Sequence, residues 1–180
     1  MSMDSRPGVV WLTGLPCAGK STIALLLAQG LRAHGINCCL LDGDELRRGL
    51  NKDLGFSRAA RAESVRRASE VARLMVDNGL ITICAMVSPF KAEREAAKKL
   101  FAPSDFIEVY VNTPLDVCIT RDSKGMYKRA LCGDVQNMTG VDHPYEPPEN
   151  PDITVYTHTE ASEIIASYIG QLAMNRFSRR

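Results

Sequence analysis

The chain has 180 residues, 45% hydrophobic and 24% charged, with a formal net charge of +1. That length suits one domain with a full core and excludes two large ones, and the apolar content excludes extended disorder. A near-neutral balance argues against a nucleic-acid partner, which calls for a basic excess on one face. No apolar run approaches the length of a membrane span, and Met1 to Gly8 lacks the apolar stretch of a secretory signal. The expectation is therefore a cytoplasmic protein with no membrane partner. The basic tail Arg176, Arg179 and Arg180 reads as a solvated end. Cysteines 17, 38, 39, 84, 118 and 132 form no CxxC pair, and histidines 34, 143 and 158 have no metal-ligand spacing. Reduced thiols acting as small, buried hydrophobes are expected.

In chain order, Val9 to Thr13 is short, β-branched and aromatic, and it stops at Gly14: a buried strand. Ser21 to His34 predicts a helix, with Ile23, Leu26, Leu27, Gly30 and Leu31 on one face and Gly35 as its stop. Asn37 to Leu41 is a second strand, ending at Asp42-Gly43-Asp44. Asp44 predicts an N-cap for a short helix through Leu50, and Ser57 an N-cap for a long helix to Asn78. In the long helix Val65, Ala68, Ala72 and Met75 share a face. Leu80 to Val87 is the third strand, Lys91 to Phe101 an amphipathic helix, and Phe106 to Val111 the fourth strand. Pro114 opens the next helix, where a missing N–H costs least. Residues 121–141 are charged, glycine-containing and weakly periodic, which reads as a mobile lid with one short helix. An extended stretch over 144–151, a short strand at Ile153 to Tyr156 and a helix from Glu160 to Asn175 complete the chain. In that helix Ile164, Ile165, Tyr168, Ile169 and Leu172 are expected inward. Strands alternating with helices predict a parallel sheet covered on both faces.

One motif carries chemistry on its own. Gly14-Leu15-Pro16-Cys17-Ala18-Gly19-Lys20-Ser21 fits GxxxxGK[ST] at every fixed position and lies between a predicted strand and a predicted helix. Successive backbone amides in such a turn converge on phosphates, and the glycines allow close approach. The following helix adds the positive end of its dipole, the lysine neutralises β/γ charge, and the serine hydroxyl is a magnesium ligand. The ATP-binding set is thus Gly14, Pro16, Cys17, Ala18, Gly19, Lys20, Ser21 and Thr22, with Mg2+ as the metal. The third strand carries no acid at its end, unlike motor and switch proteins with this loop. The nearest acids are Asp42 and Asp44, at a strand end that faces the ligand crevice of such a sheet. Asp44 is a candidate base for an attacking hydroxyl, and Asp42 a candidate for orienting metal-bound water. A turn aspartate at 42 and a helix cap at 44 is the plain alternative.

With these residues in place the chain resembles the adenylylsulfate (APS) kinases. The resemblance rests on WLTGLPCAGKST (11–22), DGDELRRGL (42–50), DLGFS (53–57), SPF (88–90), RDSKGMYKRA (121–130) and TGVDHPYEPP (139–148), in that order. It implies a P-loop kinase fold: a three-layer α/β/α sandwich with a five-stranded parallel sheet and a mobile lid, one domain over 1–180. It also implies phosphoryl transfer from MgATP to the 3′-hydroxyl of APS, a homodimer, and association with an ATP sulfurylase. By the same resemblance Asp44 is the base supported by Asp42, and Phe56 is an aromatic face for the acceptor adenine. Arg47 and Arg61 become ligands of the phosphosulfate, Lys124 a lysine that closes over bound nucleotide, Arg121 an ATP-side contact, and Ser88 part of the acceptor pocket. Arg66 and Arg67 read as a solvated helix face.

The chain departs from the family's DRxxN pattern at Ala60 and Ser64, and has Met138 where a phenylalanine precedes TG. These positions lie on the acceptor side; Ser123 replaces a lid proline. Two other readings stay open: a kinase of the same fold acting on another nucleotide derivative, such as a cytidine diphosphate conjugate, and a nucleotide-binding subunit without turnover.

Overall fold

Short β-branched runs and longer amphipathic ones alternate along the chain, and parallel pairing is what such an alternation permits. The computed structural model describes residues 6–178. Its five strands are β1 (Gly8–Thr13), β2 (Cys38–Asp42), β3 (Ile81–Ala85), β4 (Phe106–Val111) and β5 (Ile153–Val155). They form one parallel sheet in the order β2-β3-β1-β4-β5. The first strand is therefore central, with Val10 in register with Ile83 on one side and Ile107 on the other.

Side chains alternate across the sheet, so each strand feeds two cores. Val10 and Leu12 point into one core with α1 (Lys20–Ala33) and α7 (Ser162–Arg176); Val9 and Trp11 belong to the other, under α3 (Arg58–Asp77) and α4 (Lys91–Lys98). Each fully buried Leu or Ile contributes about 1.5–3 kcal/mol, so the two layers carry most of the favourable free energy. The short helices α2 (Gly43–Arg48) and α5 (Leu115–Arg121) follow strand carboxyl ends, and α6 (Met126–Leu131) follows α5. Among the described residues no helix is long and apolar enough to cross a membrane.

Most predicted elements are present, with four differences. The third strand stops at Ala85, where its pairing with β1 and β2 ends, instead of running to Val87. In α7 the buried face is Ile165, Ala166, Ile169, Gly170 and Ala173, while Ile164 and Tyr168 are 66% and 58% exposed. That helix is apolar on most sides, so periodicity did not select a face; the close approach of Gly170 to Leu27 on α1, 3.5 Å from an added Cβ, does. Gly30 likewise lies on the exposed side of α1. Arg176 is no solvated end, since it pairs with Asp152 at 2.9 Å; Arg179 and Arg180, like Met1 to Ser5, lie outside the described residues. All six cysteines are free thiols, with Cys84 and Cys118 buried as expected, Cys17, Cys38 and Cys39 half-buried, and Cys132 exposed.

One charged pair lies inside. Arg94 on α4 and Glu108 on β4 meet at 3.2 Å with side chains 3% and 7% exposed. Arg94 also donates to the carbonyls of Ser88 (2.8 Å) and Glu146 (2.7 Å), so one guanidinium joins α4, β4, the turn after β3 and the 144–149 segment. Burial pushes the Glu108 carboxyl up while Arg94 opposes the shift. Removing one partner strands the other without water. Arg94→Ala is expected to cost about 3–5 kcal/mol in urea unfolding, and adding Glu108→Leu should recover part of that loss.

Candidate active site

All five strands end on the same edge, and each delivers a residue to it: Gly14 after β1, Asp42 from β2, Ser88 beyond β3, Thr113 beyond β4 and Thr157 beyond β5. The turn from Gly14 to Lys20 is shaped by its neighbours. A Cβ on Gly14 would meet the Val111 carbonyl oxygen at 2.5 Å, and Gly19, with φ +102°, would press on Thr157 at 3.1 Å. The carbonyls of five consecutive residues are all engaged. Those of Gly14 and Leu15 accept from Lys20 Nζ at 3.0 and 2.6 Å, and that of Pro16 accepts from the Tyr127 hydroxyl at 3.1 Å. The Cys17 carbonyl accepts from Arg121 at 3.4 Å, and that of Ala18 from the hydroxyls of Thr113 (3.0 Å) and Thr157 (2.8 Å). With its carbonyls engaged, and the Ala18 amide turned back to the Leu15 carbonyl at 3.2 Å, the loop leaves its other amides for a ligand. Gly19 gives α1 no side-chain cap, so the first-turn amides of Lys20 and Ser21 join them. Thr22 is exposed one residue on.

Lys20 is 8% exposed, and burial holds its ammonium down to about 8, against the pull of Asp42 and Asp44. Ser21 Oγ donates to Asp42 Oδ2 at 2.6 Å, and Asp42 Oδ1 accepts from the Asp44 amide at 2.9 Å. The N-cap of α2 is therefore Asp42, and the expected cap at Asp44 is corrected: the helix begins at Gly43, which makes Asp44 a first-turn residue whose amide is the one to be capped. Asp44 is thereby free of helix duty, and its Oδ2 accepts a charge-assisted bond from Lys124. A hydroxyl and a carboxylate in contact, hard oxygens beside the loop, are a donor set that fits Mg2+.

Phe56 is 38% exposed and carries two guanidiniums: Arg47 at 4.3 Å and Arg61 at 5.4 Å from the ring centroid. Arg47 Nη1 is held by the carbonyls of Leu54 and Gly55 at 3.2 and 3.1 Å. Arg61 donates to Phe56 O (3.1 Å) and Asn137 O (2.7 Å), and burial plus neighbouring Arg47 push it down to about 10. Three other expected acceptor contacts have interior side chains. Ser64 accepts from Asn51 Nδ2 at 2.9 Å. The Ser88 hydroxyl, 2% exposed, lies between Trp11 Nε1 (3.1 Å) and Thr13 Oγ1 (3.0 Å). Met138, 4% exposed, packs in the core shared with Tyr127. Short side chains on buried helix and strand ends satisfy themselves inside, and the Ser88 carbonyl is likewise taken up by Arg94 at 2.8 Å.

The segment 121–141 is docked over the loop by Arg121, Tyr127, Lys124 and Met138, and Asp122 caps α6 through the Tyr127 and Lys128 amides at 3.0 and 2.9 Å. Among the described residues, non-glycine backbone in the left-handed region is found at Cys17 (φ 60°), Ser88 (36°) and Asn137 (62°), one in the loop, one in the turn after β3 and one in this segment. Strain of this kind clusters where surrounding structure over-determines the backbone. Thr113, Thr157, Tyr127, Asn51 and Arg94 escaped the sequence reading, because each acts through a partner distant in the chain and belongs to no spacing pattern.

Comparison with known proteins places these features in context. The adenylylsulphate kinase family matches residues 6–156. The chain is 50% identical to the adenylyl-sulfate kinase of Aeromonas hydrophila, over 93% of this chain and 83% of that one. It is 47% identical to the bifunctional enzyme NodQ of Rhizobium tropici over 98% of this chain, but spans only 28% of that protein. The structure of the Mycobacterium tuberculosis APS kinase CysC in complex with AMPPNP and APS superposes with a TM-score of 0.89 at 42% identity, covering 93% of this chain and 98% of that one.

The depressed Lys20 ammonium has a measurable consequence. Its folded value lies below the ordinary 10.5, so the folded protein releases this proton first, and its contribution to stability rises with pH between about 8 and 10.5. An anion held beside it reverses the shift. Titration of ATP into the protein at pH 8.5, in buffers of different ionisation enthalpy, should show proton uptake that disappears in Lys20→Met.

Proposed function

Because the chain belongs to the adenylylsulphate kinase family, we propose that it transfers the γ-phosphoryl group of MgATP to the 3′-hydroxyl of APS, giving ADP and 3′-phosphoadenylyl sulfate. The observation that supports this reading is the state of Asp44: its carboxylate is left out of helix capping by Asp42 and paired with Lys124. It lies on the same short helix as Arg47, whose guanidinium shares the Phe56 ring with Arg61.

In this reading the loop amides and Lys20 hold the β- and γ-phosphoryl oxygens, and Ser21 with Asp42 holds the metal. Mg2+ supplies charge neutralisation on the transferred group. Phe56 offers its ring to the acceptor base, while Arg47 and Arg61 present fork-shaped donors to paired anionic oxygens. The acceptor oxygen bonds to the γ-phosphorus, the bond to the bridging oxygen of ADP breaks, and Asp44 takes the hydroxyl proton. Lys124 orients Asp44 until the acceptor arrives, then is free to follow the phosphoryl charge. The 121–141 segment works as a lid, opening for exchange and excluding water that would compete for the phosphoryl group. Arg121 couples that lid to the loop through Cys17 and Thr157.

The wider setting belongs to the same proposal. The chain spans about a quarter of each of three bifunctional NodQ relatives, at 28%, 24% and 27% of their lengths. That supports a kinase working beside a second activity; the acceptor's chemistry makes an ATP sulfurylase the partner. A homodimer in the cytoplasm completes the reading, and sedimentation analysis tests the dimer.

An ADP-release assay over a panel of acceptors decides the substrate. ADP should rise with APS concentration and not with cytidine diphosphate derivatives; the reverse order would reassign the acceptor, and nucleotide binding without turnover would make the chain a non-catalytic subunit. Asp44→Asn should lower kcat by about 10²–10⁴-fold with the KM for ATP little changed.

A further inference from the structure

The arginines of α2 and α3 divide into two sets. Arg48, Arg66, Arg67 and Arg73 each pair with a carboxylate, drawn from Glu45, Glu63, Asp53, Glu70 and Asp77. Among the described residues Arg47, Arg58 and Arg61 form no ion pair, and all three lie instead on phenylalanine rings. Arg47 and Arg61 share Phe56; Arg58 lies 4.4 Å from the centroid of Phe90. Phe90 is buried and closes the Ser88-Pro89-Phe90 turn beyond β3, whose carbonyl at Ser88 is pinned by Arg94. Arg58 and Arg61 are three apart on α3, hence neighbours on one side of its first turn.

The carboxylates nearest this patch are engaged elsewhere. Asp44 is bonded to Lys124, and Asp142 accepts the amides of Asn137 and Met138 at 2.6 and 2.5 Å. The first turn of α3 holds no acid, and position 60, between the two arginines, is Ala. Arg47 and Arg61, on one ring, repel each other; Arg58 adds a third positive charge three residues before Arg61, and the flat rings hold the guanidiniums in place without neutralising them. Asp44 and Asp142 act on Arg47 and Arg61 from a distance without pairing with them. Elsewhere on the same helices the chain has placed an acid in direct contact with each arginine.

We propose that Arg58 is a third acceptor-binding arginine and determines specificity for an acceptor bearing a phosphoanhydride or comparable polyanionic group. This rests on the kinase reading above and extends it. Phe90 sets the guanidinium at the rim of the acceptor turn, where its fork faces the same anion as Arg47 and Arg61. The position compensates for the small residues at Ala60 and Ser64: lost polar contacts are replaced by added positive charge.

The test uses the whole chain with Arg58→Ala and Arg58→Lys, in the ADP-release assay with APS. In Arg58→Ala the KM for APS should rise about tenfold, the worth of one charge-assisted contact. The kcat and the KM for ATP should change less than twofold, and the dependence of the APS KM on salt should weaken. Arg58→Lys should fall between. An APS KM within twofold of wild type in Arg58→Ala overturns the proposal. If the wild type makes no ADP with APS, the substrate reading falls, and calorimetric titration of inorganic pyrophosphate into the ADP-saturated protein decides Arg58 separately. Several-fold weaker binding by Arg58→Ala supports the proposal; equal binding, or none by either protein, overturns it.

Discussion

A turn of peptide has no intrinsic reason to aim its amides at one point, because each peptide unit carries an acceptor as well as a donor. Between Gly14 and Ala18 the acceptors are taken out of play. Lys20 holds two carbonyls from within, Tyr127 and Arg121 hold two from the lid side, and Thr113 and Thr157 converge on the fifth. What is left facing the crevice is a set of N–H donors and the uncapped start of α1. The residues that accomplish this come from the ends of β4 and β5, from α5 and from α6, so the loop keeps its shape only while the parallel sheet and its edge segments are assembled.

The same logic of occupied and unoccupied partners orders the charged groups. Interior charge is closed off: Arg94 satisfies a carboxylate and two carbonyls, and Glu108 has its counter-ion at hand. Surface arginines on α3 are closed off by acids one turn away. Around the crevice the pattern reverses. Lys20 is buried beside carbonyls and pairs directly with no carboxylate, and Arg47, Arg58 and Arg61 rest on rings. These cations make no direct ion pair among the described residues, so an anionic ligand need not displace one from them.

The two sides of the crevice differ in how they are built. The loop side is backbone, held by hydroxyls and glycine geometry, and its side chains are few. The side around Phe56 is built of side chains, from Arg47 on α2 and Arg61 at the start of α3. Ser64 and Met138 turn inward, toward Asn51 and Tyr127, so these two positions support the crevice from behind.

Strand runs, helix stops and the loop were legible because each depends on neighbours in sequence: β-branched runs, glycine stops, and a spacing that a phosphate requires. Five strands in a parallel sheet, the role of Ser57 as a cap and the acidic turn at 42–44 follow from such local rules. Local rules also misplaced some residues. Asp44 looked like a cap until Asp42 was seen to reach its amide, and α7 showed apolar residues on most sides until α1 selected one. The clamp of Thr113 and Thr157, the Arg94–Glu108 pair and the contrast between paired and unpaired arginines depend on contacts up to 139 residues apart. A linear sequence states which chemistry is available; which carbonyl is engaged and which cation is left without a partner is decided when distant strand ends arrive at one edge.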